Sequence, residues 1–251
     1  HGGCVVWRSI ACCVWARSSP AVDLVAFQRA FAALKARGWV ASVRRGDTGV
    51  GHTLEQLLGL TENNVAVPDL GNVELKAHRV GSNSMITLFT FNRKVWKVPP
   101  LEAIKRYGTP DRDPAKAGRL GLYFTLSRTP NSTGLFLHVE ETFIALRHIS
   151  GEEIAVWQFE ALATRFKQKV PALILVSAFG EKRGDREYFY YHRAQLMQDT
   201  SPSILYSQIL AGNVLVDLRL HEKPTSARNH GTGFRVREDK LPLLFREVRD
   251  L

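Results

Sequence analysis

Between Pro68 and His78 the chain carries two acids and a lysine at a spacing suited to phosphodiester chemistry. Asp69 follows Pro68 directly, and Glu74-Leu75-Lys76 comes five residues later. In an extended strand residues two apart share a face, so Glu74 and Lys76 project together while Leu75 points into a core. A hairpin or bend between Asp69 and Glu74 can bring the first carboxylate beside the second. Two adjacent carboxylates repel unless a cation lies between them. Carboxylate oxygens select a hard ion, and Mg2+ commonly takes one or two of them and leaves its other positions to water and substrate phosphate. A lysine at such a centre can hold or activate the attacking water and offset charge on the phosphorane. The bland alternative is a surface strand with an ordinary Glu/Lys pair.

The charge balance favours a polyanionic partner. Lys and Arg number 34 against 24 Asp and Glu, a net charge of +10, which suits nucleic acid or an anionic membrane surface. A membrane span is not expected, because the longest strongly apolar stretch, Pro171 to Phe179, is about half of the ~20 residues required. No basic amphipathic helix with a Trp/Phe/Leu face argues for a membrane-surface protein. The cysteines, Cys4, Cys12 and Cys13, all lie near the N-terminus, which speaks against a disulfide scaffold or a thiolate zinc site and fits a reducing cytoplasm. A Gly loop ending in Lys-Ser/Thr is absent from the sequence, so ATP-driven cleavage is unsupported.

With 251 residues, 45% hydrophobic and 23% charged, the chain has material for a substantial core. Residues 1–20 differ in character from the rest; the apolar run Ile10 to Ala16 is short for a signal peptide and is followed by Arg17. They are expected to be an extension outside the fold, with residues 21–251 forming one domain. Asp23 can cap a helix whose Leu24, Phe27, Phe31 and Leu34 share a face, ending at Gly38. A basic, Gly-punctuated loop from Arg44 to Gly51 follows. Thr53 and Gln56 match a capping box opening a helix through Leu60. Extended segments are expected at Val73–Ala77, Met85–Thr90, Leu120–Leu126, Gly134–Val139 and Thr142–Arg147, then an amphipathic helix at Trp157–Lys169. The apolar run Ala172–Ala178 suits a strand buried on both faces. Tyr188–Tyr191 reads as strand, Ser203–Leu210 as helix, Val214–His221 as strand and Leu241–Val248 as a closing helix. Interleaved strands and helices make the class α/β (α+β), with a mixed central β-sheet flanked by helices.

The ordered set Gly46-Asp47-Thr48-Gly49-Val50-Gly51-His52-Thr53-Leu54-Glu55, Pro68-Asp69, Glu74-Leu75-Lys76-Ala77-His78, Leu88-Phe89-Thr90, Arg106-Tyr107-Gly108 and Arg228-Asn229-His230-Gly231-Thr232-Gly233-Phe234-Arg235 resembles the MvaI/BcnI family of type II restriction endonucleases. The resemblance runs from about Val22 to Val248. It implies a PD-(D/E)xK nuclease core similar in architecture to the mismatch-repair nicking enzyme MutH. It also implies that Asp69, Glu74 and Lys76 are catalytic, with Asp69 and Glu74 holding Mg2+ (Mn2+ may replace it), and that Glu55 adds an acid from the preceding helix. The implied partner is double-stranded DNA, read at a short CC-N-GG type site and cut to a 5′-phosphate and a 3′-hydroxyl. A monomer is implied, in a prokaryotic cytoplasm, paired with a cognate DNA methyltransferase.

Beside that resemblance the loop Arg228 to Arg235 reads as a base-reading element rather than a solvated basic turn. Arg suits guanine, Asn suits adenine, and His can donate or accept. Arg228, Asn229, His230, Thr232 and Arg235 are therefore candidate DNA contacts. His78 and Arg79, just beyond Lys76, and Arg45 in the basic loop join them. Asp217, Arg219 and His221 share one strand face; Arg219 between the two ligand types argues against a second metal site and for a polar face near DNA. Trp96, Trp157, Tyr188 and Tyr191 are more suited to core than to base stacking. The rival readings are a MutH-like nickase that needs an activating partner and a non-catalytic DNA-binding module with a decayed nuclease fold.

Overall fold

Phe27, Phe31 and Leu34 recur at helical spacing and are the buried residues of α1 (Leu24–Ala36). The structure, a computed structural model, describes residues 24–59, 73–92, 94–111, 113 and 117–251. Asp23, Leu60, Pro68 and Asp69 thus lie outside the described residues, as does the whole of residues 1–20. After α1 come β1 (Val40–Ala41), α2 (Gly49–Leu57), β2 (Glu74–Arg79), β3 (Ile86–Thr90), α3 (Pro100–Tyr107), β4 (Thr109–Pro110) and β5 (Leu120–Leu126). The chain continues through β6 (Leu135–Val139), β7 (Phe143–His148), β8 (Glu153–Gln158), α4 (Phe159–Lys169), β9 (Leu173–Arg183) and β10 (Arg186–Gln198). It closes with α5 (Pro202–Leu210), β11 (Val214–Glu222), β12 (Ala227–Asn229), β13 (Gly233–Val236), a 3-10 helix over Glu238–Leu244 and β14 (Glu247–Asp250).

Three sheets result among the described residues. The first has the order β1-β10-β9-β2, with β14 on β10. Only the β2–β9 pair in it is parallel, placing Glu74 against Leu173 and His78 against Ser177. The second runs β3-β13-β11-β5-β4, with β12 on β11. The third is the β6-β7-β8 meander. One mixed and two antiparallel sheets with helices packed against them give the α+β class expected from the sequence.

The first sheet divides two cores. Ile174, Val176 and Ala178 of β9 pack with Leu75, Phe189 and Tyr191 beneath α1 and α2. Leu173 and Leu175 face the larger core with Phe166, Leu162 and Met197. This two-sided burial is why the run 172–178 carries no polar alternation until Ser177. On β2 the same division sends Leu75 to the smaller core and leaves Glu74, Lys76 and His78 on the opposite face. In the second sheet Phe234 is fully buried; it stacks on Phe89 with ring centroids 4.7 Å apart and meets the edge of Trp157 at 5.9 Å. These aromatic contacts fix β13, the strand that ends the basic loop.

Three local expectations need correction. Thr53 does not cap a helix: α2 begins at Gly49, and the buried Thr53 hydroxyl accepts from the Val43 amide at 3.1 Å. The early start depends on Gly49, where a Cβ would lie 2.7 Å from the Arg44 carbonyl oxygen, so only glycine lets the loop fold back onto the helix end. Trp157 belongs to β8, not to the helix; its indole donates to the Phe91 carbonyl at 3.0 Å, and α4 starts at Phe159. Leu241–Val248 is not one helix. Pro242 lies in the 3-10 turn, and Glu247–Asp250 pairs antiparallel with Gln195–Gln198 of β10. The strands β8 and β12, and the full length of the β9–β10 hairpin, are not legible in the pattern, whereas β13 forms where Phe234 and Arg235 suggest a strand.

Candidate active site and nucleic-acid interface

Glu74 opens β2, and its amide donates to the Ala172 carbonyl at 2.9 Å just before β9. Its side chain is 1% exposed, so the carboxylate is out of water. Such a group needs cationic partners. Lys76, two residues on along the same face, donates to Glu74 Oε1 at 2.5 Å. Lys169, the last residue of α4, places its ammonium 3.2 Å from Glu74 Oε2. The lysine of α4 was not singled out in the sequence, because only the β2–β9 register reveals that the end of α4 reaches the start of β2. Glu55 sits half-buried on α2, which packs on β2, with its carboxylate 3.9 Å from His52 Nδ1. Asp69 lies outside the described residues.

The donor set suits a hard cation in its chemistry. Glu74 Oε2 is a buried carboxylate oxygen with no hydrogen bond among the described residues, although Lys169 approaches it electrostatically. No group of three or more His, Cys, Asp or Glu able to hold a metal occurs among the described residues. A second carboxylate from outside them would complete a pair of oxygen ligands.

His78 continues the Glu74/Lys76 face, but the structure buries it. Its Nε2 lies 3.0 Å from the Ser84 carbonyl, and its Nδ1 lies 2.9 Å from Glu238 Oε2. Both neighbours are acceptors, and Nδ1 meets Glu238 at ion-pair distance without hydrogen-bond geometry. The contact to Glu238 raises the His78 pKa against the opposing effect of burial, and the Ser84 carbonyl adds to the rise. The same contact with His78 lowers the Glu238 pKa. Glu238 also accepts from Ser177, the β9 neighbour of His78, at 3.3 Å. Because Glu238 lies two residues past the end of β13, this ion pair ties the first sheet to the second.

The pH consequence has a defined sign. A raised imidazole pKa contributes stability that is fully present below the ordinary 6.5 and is lost as pH rises through the raised value. A lowered carboxylate pKa contributes stability present above the ordinary 4.5 and lost as pH falls through the lowered value. The thermal-unfolding gap between wild type and His78→Leu should therefore be widest between pH 4.5 and 6.5 and shrink on the alkaline side. A gap that grows steadily from pH 6 to 9 would contradict the ion pair.

Arg79 turns to the other face. It binds Glu187 at 2.7 and 2.8 Å and the carbonyls of Gly46 and Asp47 at 3.0 Å, lying 5.1 Å over the Phe189 ring. It thereby pins the basic loop to β2. That loop and the β9–β10 hairpin form an open groove of about 640 Å³ with Arg44, Arg45, Lys182 and Arg186 in its lining, against Asp185 and Glu187. Arg45 and Asp185 pair at 3.1 Å while both remain almost wholly exposed.

The second sheet organises the other candidates around Asp217. Its carboxylate accepts from Thr125 at 2.9 Å, from Arg219 Nε at 2.7 Å and from Arg235 Nη1 at 2.9 Å. Arg235 also donates to the Met85 carbonyl at 3.1 Å. One carboxylate thus holds two guanidinium groups, one half-exposed and one mostly buried. A metal site at Asp217 is excluded by its own arginine partners. Along the same face His221 Nδ1 lies 3.0 Å from the Tyr123 hydroxyl and 3.2 Å from His230 Nε2. Burial is the main cause lowering the His221 pKa, with Arg119 and His230 adding to it. Asn229 accepts from the Gly231 amide at 2.8 Å, and Gly231 at φ +104° turns the loop back toward β13. Arg228 and His230 are exposed, whereas Thr232 is fully buried, with its carbonyl accepting from Phe91. Trp157 and Tyr191 are core residues, as expected.

The chain matches the model of the MvaI/BcnI restriction endonuclease family over residues 29–245. None of the curated proteins matches it. Among solved structures it is similar to the complex of restriction endonuclease MvaI with a cognate DNA substrate, at a TM-score of 0.75 and 25% identity, covering 92% of this chain and 98% of that one. It is also similar to restriction endonuclease MvaI in the absence of DNA, at a TM-score of 0.52 and 25% identity, covering 90% of this chain and 96% of that one. With the family matched over most of its length and the fold in agreement, the chain belongs to the MvaI/BcnI restriction endonuclease family.

Proposed function

We propose that this protein is a Mg2+-dependent type II restriction endonuclease that hydrolyses double-stranded DNA at a short CC-N-GG type site. The observation that carries the reading is the buried Glu74 carboxylate with Lys76 on the same strand face, in a chain of this family. Glu74 and Asp69 are assigned as the residues that hold the cation, and Glu55 as a further acid beside them. Mg2+, or Mn2+ in its place, would supply Lewis acidity toward the phosphate and lower the pKa of the attacking water. Lys76 would orient that water and offset charge building on the phosphoryl oxygens. Water adds to phosphorus, the bond to O3′ breaks, and the products are a 5′-phosphate and a 3′-hydroxyl.

Sequence reading is assigned to Arg219, Arg228, Asn229, His230 and Arg235. Asp217 aims two of these guanidinium groups, and arginine forks match the O6/N7 edge of guanine, as a C·G-rich site requires. In this reading His78, Arg79 and Thr232, placed among the DNA contacts by sequence, support the site from within. The groove at Arg44, Arg45, Lys182 and Arg186 is assigned to phosphates, with the exposed Arg45–Asp185 pair exchanging for them. Residues 21–251 act as one nuclease unit, working as a monomer on one strand at a time, in a prokaryotic cytoplasm beside a cognate DNA methyltransferase. None of the described helices is long and apolar enough to cross a membrane. Digestion of supercoiled plasmid with and without divalent cation tests the reading: discrete cleavage is expected only with the cation, and undiminished cutting in EDTA would contradict it.

A further inference from the structure

We propose that Lys169 is a positioning residue of the active site, a resident cation that holds Glu74 Oε2 until the divalent ion displaces it. The inference rests on the assignment of Glu74 as a cation ligand. Glu74 is 1% exposed, and its two oxygens are approached by lysines from different elements. The two approaches differ in kind. Lys76 makes a short, directed hydrogen bond to Oε1. Lys169 stands 3.2 Å from Oε2, yet that oxygen has no hydrogen bond among the described residues. Its contact is thus electrostatic and undirected, which is the contact a competing oxygen-seeking cation replaces most readily.

The fold sets this arrangement closely. Val170 ends α4 with its amide donating to the Phe166 carbonyl at 2.7 Å, and the Ala172 carbonyl accepts from the Glu74 amide at 2.9 Å. The backbone carrying Lys169 and the backbone carrying Glu74 are therefore joined through one short turn. The Lys169 side chain is 21% exposed, against 1% for Glu74. A buried carboxylate without a counter-charge is costly. Lys169 and Lys76 together offset that cost in the cation-free enzyme and hold the carboxylate in place.

The test is Mn2+ binding to the full-length protein without DNA, followed by calorimetry, for wild type, Lys169→Met, Lys169→Gln and Glu74→Gln. Removing a competitor for Oε2 should tighten Mn2+ binding roughly three- to tenfold in Lys169→Met. The same variant should unfold at a lower temperature without Mn2+ and recover more of its midpoint on adding Mn2+ than wild type does. A purely structural lysine would lower stability and Mn2+ affinity together. Lys169→Gln, which keeps a hydrogen-bond donor of similar reach, serves if the methionine variant does not fold, and it should shift affinity in the same direction. Unchanged or weaker Mn2+ binding in both neutral variants, with binding lost in Glu74→Gln, overturns the role of Lys169 alone. Undiminished binding in Glu74→Gln overturns the ligand assignment as well.

Discussion

Lys76→Ala is expected to lower the single-turnover cleavage rate by at least about a hundredfold, the scale of removing one preorganised charge stabiliser from a transition state. Specific DNA binding in Ca2+ should stay within a few-fold of wild type. The reason for this split is that the ammonium acts on charge and water that appear only as the phosphorus is attacked, so its loss falls on the chemical step. The structure adds a reason why binding and folding should survive. Glu74 retains Lys169 at 3.2 Å when Lys76 is gone, so the buried carboxylate keeps a counter-charge. Quenched-flow or gel measurement of cleavage under enzyme excess reads the rate, and an unfolding curve checks the fold. Wild-type cleavage by a folded Lys76→Ala enzyme would place the reacting centre elsewhere.

The second large effect is expected at Asp217. It touches both Arg219 and Arg235, so Asp217→Ala frees two guanidinium groups together. Each well-aimed arginine fork is worth about 1–3 kcal/mol of discrimination, and losing the aim of both should cost roughly ten- to a hundredfold or more in cognate affinity. Affinity for a scrambled duplex should change by less than about twofold, because a base contact penalises only the cognate site. Asp217→Asn, which keeps an acceptor for one guanidinium, should lie between the two. The contrast is the groove of the basic loop and hairpin: Arg44→Ala with Lys182→Ala should weaken both duplexes by the same factor, as phosphate contacts do. If Asp217→Ala instead weakens cognate and scrambled DNA equally, Arg219 and Arg235 serve general affinity.

How much of this was legible beforehand depends on the range of each interaction. Glu74 and Lys76 were found because the strand period of two is local, and Leu75 marks the buried side. The apolar run before Ser177 announced a strand covered on both faces. Trp157 reads as part of the helix after it because a bulky aromatic fits either period, and only its pairing with β7 decides. The closing segment misled because Leu241, Leu244 and Phe245 do line a core, but from a 3-10 turn around Pro242. Lys169 and Glu238 carry no local signal at all. Each becomes part of the site only through strand order: the parallel β2–β9 register brings the end of α4 to Glu74, and the exit of β13 brings Glu238 to His78. The sequence puts Asp217 on a polar strand face where its neighbour Arg219 argues against a metal, but Arg235 is too distant in sequence to be joined to it.

The most direct measurement is digestion of one supercoiled plasmid in Mg2+ and in EDTA, with the ends of the products sequenced. A metal-dependent restriction endonuclease with one centre per chain would first give nicked circles and then discrete linear fragments. Their ends would carry 5′-phosphates within one recurring short C·G-rich sequence, and EDTA would stop the reaction completely. Cutting that persists undiminished in EDTA would contradict the role given to Glu74 and Asp69. DNA bound but left intact in Mg2+ and Mn2+ would contradict an autonomous endonuclease and leave a module that needs an activating partner or none of this chemistry.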